Sequence, residues 1–185
     1  VCGPDGGFHV PAYISPIAVA FNLPGVDTLN MDGETIAQIF TGEITEWNDP
    51  AIAEQNPDAE LPETPITVVH RNDESGTTEN FQEYLAAAAP EVWTEEVSGN
   101  WPSQWAAENN KGTAGVVQST NATEGAITYA DASAVGDLGT VAVRVSRRPL
   151  AAGQWRKNSS GTVRLTRSNL PSVIRPPRPK SRIVS

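Results

Sequence analysis

Arg71, Ser75, Gly76 and Thr77 fall within seven residues and carry the groups that bind an oxyanion. A guanidinium presents a rigid fork of N–H donors that matches a tetrahedral or planar anion, and two hydroxyls and nearby amides add further donors. The bland alternative is that Arg71 pairs on the surface with Asp73 or Glu74, a contact of small energetic consequence. The two roles are compatible, because an arginine held by an adjacent carboxylate is also oriented for a ligand.

The elements that must position these groups are legible around them. Ile66 to Arg71, ITVVHR, is a β-branched apolar run of strand length. Asn72 to Gly76 breaks it, and from Thr77 the apolar spacing changes to a period of 3.6. Phe81, Leu85 and Ala88, with Tyr84 beside them, predict the packed face of a helix that Pro90 stops. Ser75, Gly76 and Thr77 then lie at the helix start, where backbone N–H groups lack internal partners and the dipole is positive. That is an anion site built from a strand end, a loop and a helix N-terminus.

Other chemistries find less support. The histidines, His9 and His70, are far apart and Cys2 is the single cysteine, so neither a metal set nor a catalytic triad emerges and no disulfide forms within the chain. His70 could act as a base for Ser75, but neighbours on a strand point to opposite faces. Lys111 with Gly112 and Gly115 superficially resembles a phosphate loop, yet the order and spacing do not fit GxxxxGK[ST]. Trp93, Trp101 and Trp105 form an aromatic cluster that fills a core or a domain face, or stacks on a sugar or base; core filling is the favoured role.

Charge divides the chain sharply. Val1 to Val143 holds all 22 Asp and Glu and two basic residues, Arg71 and Lys111, for a net of −20. Such a body repels anions, so Arg71 must act locally. Arg144 to Ser185 holds eleven Lys and Arg, no acid and five prolines, without sustained periodicity. This tail reads as disordered. A basic tail suits nucleic acid or an anionic membrane, but so abrupt a loss of carboxylates favours a segment that is not native, such as the product of a reading-frame shift. No nucleic-acid partner is expected.

The remaining order is that of an α/β protein. Val1 to Pro11 reads as a loop, Ile14 to Phe21 as a strand buried on both faces, and Asp32 to Thr41 as a helix closed by Gly42. Asn48-Asp49-Pro50 caps a short helix, Leu61 to Pro65 is a connector, Val116 to Asn121 reads as a helix and Gly125 to Tyr129 as a strand. No apolar run reaches membrane-span length and no signal segment opens the chain, so an export signal or anchor would lie upstream of Val1.

With SPIAVAFNLPGV, LNMDGETIAQIFTGEITEWNDPAIAEQNP, ITVVHRNDESGTTENFQEYL and GNWPSQWAAENNKGTAGVVQSTNATEGAITYAD in that order, about Val10 to Asp131 resembles the phosphate-binding component of bacterial phosphate ABC transporters. The resemblance implies a periplasmic-binding-protein-like α/β fold, mainly the second lobe plus hinge of two. Residues 1–13 are then a loop or hinge region, 14–143 the partial domain and 144–185 the tail. It implies that Arg71, Ser75, Gly76 and Thr77 contact phosphate and that Asp73 holds Arg71, with no catalytic residue, metal or cofactor. The implied partners are inorganic phosphate and the ABC permease subunits, and the implied location is periplasmic or extracellular at the cell surface. Sulfate or molybdate, and a phosphatase-like relative, are the alternatives.

The family's upstream phosphate loop and the acid from its first lobe have no match, and Thr128 stands where glycine is usual. About half of a binding protein is therefore expected, with low affinity and poor selectivity, since a carboxylate that accepts the phosphate proton's hydrogen bond is what rejects sulfate.

Overall fold

Alternation in IAVAF separates two apolar layers. Val19 and Phe21 join the larger layer and Ala20 the smaller, with Ala18 packed beside it. The computed structural model describes residues 14–105 and 107–144. The elements run β1 Ile17–Phe21, β2 Thr28–Asp32, α1 Gly33–Thr41, α2 Pro50–Ala53, β3 Thr67–Arg71, α3 Gly76–Ala88, β4 Glu108–Asn110, α4 Gly112–Ala122, β5 Ala126–Asp131 and β6 Gly139–Arg144. One six-stranded mixed sheet has the order β2-β6-β1-β5-β3-β4. Segments 1–13 and 145–185, read above as loop and tail, lie outside the described residues.

Helices α1 and α3 supply Ile36, Ile39, Phe40, Phe81 and Leu85 to the larger core, which also takes Trp47 and Tyr129. Val116 of α4 packs with Val69 and Ala126 on the other face. Thr128 points to that face too, fully buried, and its hydroxyl donates to the Val69 carbonyl at 2.7 Å. A threonine is thereby accommodated where the resemblance leads one to expect glycine.

Caps behave as their sequences require. The Asp32 carboxylate accepts from the Thr35 amide, and Gly42 ends α1 at φ 82. Asp49 caps α2 with Pro50 in its first turn. Gly33 permits close approach of α1 and α3, because a Cβ there would lie 2.5 Å from Ala88 Cβ and 2.9 Å from Tyr84 Oη.

Several expectations are corrected. The strand read from Ile14 begins at Ile17, and only Val19, Ala20 and Phe21 are fully buried; Pro16 supplies no ladder N–H. Ala88 and Tyr84 are exposed, and the buried face of α3 is Thr78, Phe81, Gln82 and Leu85. Gln82 belongs there because its amide donates to Asn100 O and accepts from Ser98 N. Helix α4 starts at Gly112, ahead of the Val116 expected. Strands β2, β4 and β6 carry weak local signals and form by pairing with β6, β3 and β2 respectively. Strand β6 ends on Arg144, one residue into the segment read as tail. The outer side of β2 is closed by side chains: Asn56 exchanges hydrogen bonds with the Asn30 backbone at 2.7 and 2.8 Å, and Gln55 accepts from Asp32 N.

Candidate functional site

Strand directions bring the polar loops to one edge. Strands β3, β4 and β5 are parallel, β1 is antiparallel to β5 and β6, and β2 is parallel to β6. Asp32, Arg71, Asn110, Asp131 and Arg144 therefore end their strands at the same edge, and α1, α3 and α4 begin there. In open α/β sheets ligands bind beyond the carboxyl ends of the strands, where loops and helix N-termini converge.

Arg71 ends β3. Its Nε donates to Asp73 Oδ1 at 2.6 Å and its second terminal nitrogen to Asp73 Oδ2 at 2.5 Å, a two-bond fork. The remaining terminal nitrogen lies 3.5 Å from Thr113 Oγ1. Asp73 Oδ1 also accepts from the Gly112 amide at 3.0 Å, at the first residue of α4. Gly112 takes φ +73, a conformation glycine adopts without strain. The arginine bonds, followed by that amide, hold the Asp73 carboxyl well below the usual carboxylate range. The same Asp73 contact raises Arg71. The pair stays charged at any ordinary pH.

Ser75 caps α3: its Oγ accepts from the Thr77 amide at 3.2 Å, and its own amide donates to Gly99 O at 2.8 Å. The Thr77 amide thus has a side-chain partner, unlike the free amide expected. Ser75 is buried, Thr77 half-buried and Gly76 exposed. Beneath them, the Tyr129 hydroxyl shares a 2.7 Å hydrogen bond with Thr78 Oγ1 and accepts from the Arg71 amide at 3.4 Å. It ties β5 to both the strand and the helix that flank the loop.

A cleft of 570 Å³ opens against Gly76 and Thr77, with Ser15, Ile17 and Val143 across from Asn80 and Tyr84. It lies where β1 and β6 part, since they pair only through Ala20 and Phe21. Asp131 also lines it; the Ser133 hydroxyl and amide hold this carboxyl below its ordinary value, and Ser15 Oγ donates to it as well.

Four residues at the site escaped sequence reasoning. Tyr129, Gly112, Gly99 and Asp131 act through contacts distant in sequence, and only Gly112, flagged within a glycine-punctuated segment, carried a local signal. The order SGT does not reveal that Gly99 must approach it; a Cβ at Gly99 would sit 3.3 Å from the Ser75 amide nitrogen. His70, weighed as a base, has Nδ1 on the Arg71 carbonyl at 2.8 Å and stacks on Trp101. Burial lowers its pKa. Ser75 Oγ is engaged by helix capping, so the two do not form a nucleophile–base pair. Among the described residues no group of three or more His, Cys, Asp or Glu could hold a metal ion.

The family model for the PBP superfamily domain matches residues 2–172. The chain is 44% identical over 128 residues to phosphate-binding protein PstS 3 of Mycobacterium leprae, covering 69% of this chain and 34% of that protein. It is likewise 44% identical over 130 residues to phosphate-binding protein PstS 2 of Mycobacterium tuberculosis, with the same shares. It is also similar to a solved structure from Clostridium perfringens, a substrate-binding protein assigned to a phosphate ABC transporter, with bound phosphate. That similarity has a TM-score of 0.50 and 27% identity, and covers 70% of this chain and 45% of the other. The chain thus spans about a third of the length of the curated relatives it matches.

Proposed function

The chain belongs to the PBP superfamily, and on that premise we propose that it is a solute-binding module capturing inorganic phosphate for an ABC permease. Phosphate is held by Arg71, Ser75, Gly76 and Thr77, with Asp73 as the residue that orients Arg71. The observation that carries this reading is the Arg71–Asp73 fork, locked to the first turn of α4 and followed within a few residues by the start of α3. Names of the relatives, phosphate-binding proteins, support the choice of ligand.

The body, 14–143, acts as part of one lobe with its hinge. Strand β1 begins and β6 ends at the edge where the anion site lies, which suits connections to a facing lobe. The module is non-enzymatic and needs no cofactor. It works outside the cytoplasmic membrane; among the described residues no helix is long and apolar enough to cross one.

Titration calorimetry with phosphate and then sulfate tests the reading. Binding of phosphate is expected to be weak and poorly selective, and Arg71→Ala to weaken it roughly tenfold or more, the effect of one or two charge-assisted hydrogen bonds. No heat from phosphate with the folded wild-type chain would overturn the reading. Submicromolar binding that excludes sulfate would overturn its low-affinity part.

A further inference from the structure

Three cations stand among the described residues, Arg71, Lys111 and Arg144, and the fold places all three at one edge of the sheet. Arg71 ends β3, Lys111 follows directly on β4, and Arg144 ends β6. Arg71 brings no net charge to its loop, because the fork pairs it with the Asp73 carboxylate. Asp32 and Asp131 end strands at the same edge. In a body this acidic, an anion reaching the loop finds donors there but no net attraction from the Arg71–Asp73 pair.

Lys111 is anchored beside that pair through both of its neighbours. In the parallel register Asn110 sits opposite Arg71, and its carbonyl accepts from the Asn72 amide at 3.1 Å. On the other side the Gly112 amide donates to Asp73 Oδ1 at 3.0 Å. That amide nitrogen is two bonds from the Lys111 Cα, which therefore lies within about 6 Å of the carboxylate oxygen. Lys111 is exposed and occupies the N-cap position of α4 without a side-chain capping bond. Ser, Thr, Asp and Asn are the residues favoured there, and a cation opposes the helix dipole. Among the described residues its ammonium has no carboxylate partner either. A charge placed against a local rule, with no structural return, points to a functional demand.

We propose that Lys111 supplies the unpaired positive charge that draws an anion to the Arg71–Thr77 loop, acting through space and not as one of the hydrogen-bonding ligands. The inference rests on the anion-site reading above. Arg144 is a built-in comparison: β6 stands three strand spacings from β3, roughly 14 Å, so the same unit charge acts there from farther away. A unit charge about 8 Å from a dianion in water changes affinity about threefold at low salt, and reversing that charge changes it about tenfold.

Calorimetry of the full chain with inorganic phosphate, at about 0.02 M and about 0.5 M sodium chloride, tests it. At low salt Lys111→Met is expected to bind phosphate about threefold more weakly than wild type and Lys111→Glu about tenfold, with both differences collapsing at high salt. Lys111→Arg should bind as wild type does, and Arg144→Glu should lose clearly less than Lys111→Glu. Unchanged binding in Lys111→Met and Lys111→Glu, with wild type still binding phosphate, overturns this inference and leaves the anion-site reading standing. A loss of the same size at both salt concentrations, or one that Lys111→Arg shares, also overturns it, because either marks a structural role. Equal losses in Arg144→Glu and Lys111→Glu overturn it as well, since the effect would then belong to net charge. Failure of the folded wild-type chain to bind phosphate at either salt concentration overturns both readings.

Discussion

Replacing Tyr129 by Phe removes one oxygen and keeps the ring, which isolates the role of the hydroxyl beneath the loop from Arg71 to Thr78. The ring is 1% exposed and stacks on Phe81 with centroids 4.6 Å apart, contacts that phenylalanine preserves. What is lost is the 2.7 Å bond with Thr78 Oγ1, a hydroxyl on a fully buried residue, together with the longer contact from the Arg71 amide. Stranding a buried hydroxyl costs about 1 to 3 kcal/mol, and the 3.4 Å contact adds little. Thr78→Val strands the other oxygen and should cost a similar amount. The double variant removes both partners, so it should cost less than the sum of the singles by about 1 kcal/mol or more.

Urea unfolding of wild type, both singles and the double gives the cycle. A second readout is pH. Burial raises the Tyr129 pKa, so in wild type its contribution is complete below about pH 10 and declines as pH rises past that value. Tyr129→Phe lacks this alkaline loss. A single variant within roughly 0.5 kcal/mol of wild type, with strictly additive effects in the double, would refute the assignment.

Three further outcomes follow from the same contacts. Because Arg71 and then Gly112 N–H depress the Asp73 pKa, its contribution is complete above about pH 4 and disappears as pH falls below it; Asp73→Asn should flatten acid unfolding curves in that window, and an unchanged curve would count against the pairing. Gly33→Ala places a methyl 2.5 Å from Ala88 Cβ, so α1 and α3 must separate; a loss of about 1 to 3 kcal/mol, seen as a lower Tm, is expected despite the better helix propensity of alanine. Asn56→Ala removes three hydrogen bonds that close the β2 edge and finish α2, and should cost about 1 to 3 kcal/mol in urea unfolding; a neutral result would mean water replaces them freely.

Legibility tracked the range of the forces involved. The strand–loop–helix unit from Thr67 to Ala88, the Asp32 and Asp49 caps, Pro50 and the Gly42 terminator could be read in sequence, because each depends on a few adjacent residues. Strand β4, with its ENN sequence, could not be read, since it exists through pairing with β3. The buried face of α3 was misassigned for a related reason. Period alone favoured Ala88, whereas Gln82 is buried because Ser98 and Asn100, brought from a later loop, satisfy its amide. The tryptophans divided: Trp93 is 2% exposed in the core, while Trp101 and Trp105 are half-buried and pack against it.

The sequence by itself determined that this chain carries one arginine beside a Ser-Gly-Thr helix start in a body almost devoid of other cations, a set of donors of the kind an anion needs. Residue type and local spacing suffice for that, because donors, charge and the helix dipole are local properties. Tertiary structure alone decided what holds the Arg71–Asp73 pair and its loop in place. Asp73 is clamped by Gly112 from α4, Ser75 by Gly99, and the Arg71 and Thr78 ends of the loop by Tyr129 from β5. These contacts close across 24 to 58 residues of chain, and their partners come together only once the sheet has set its strand order.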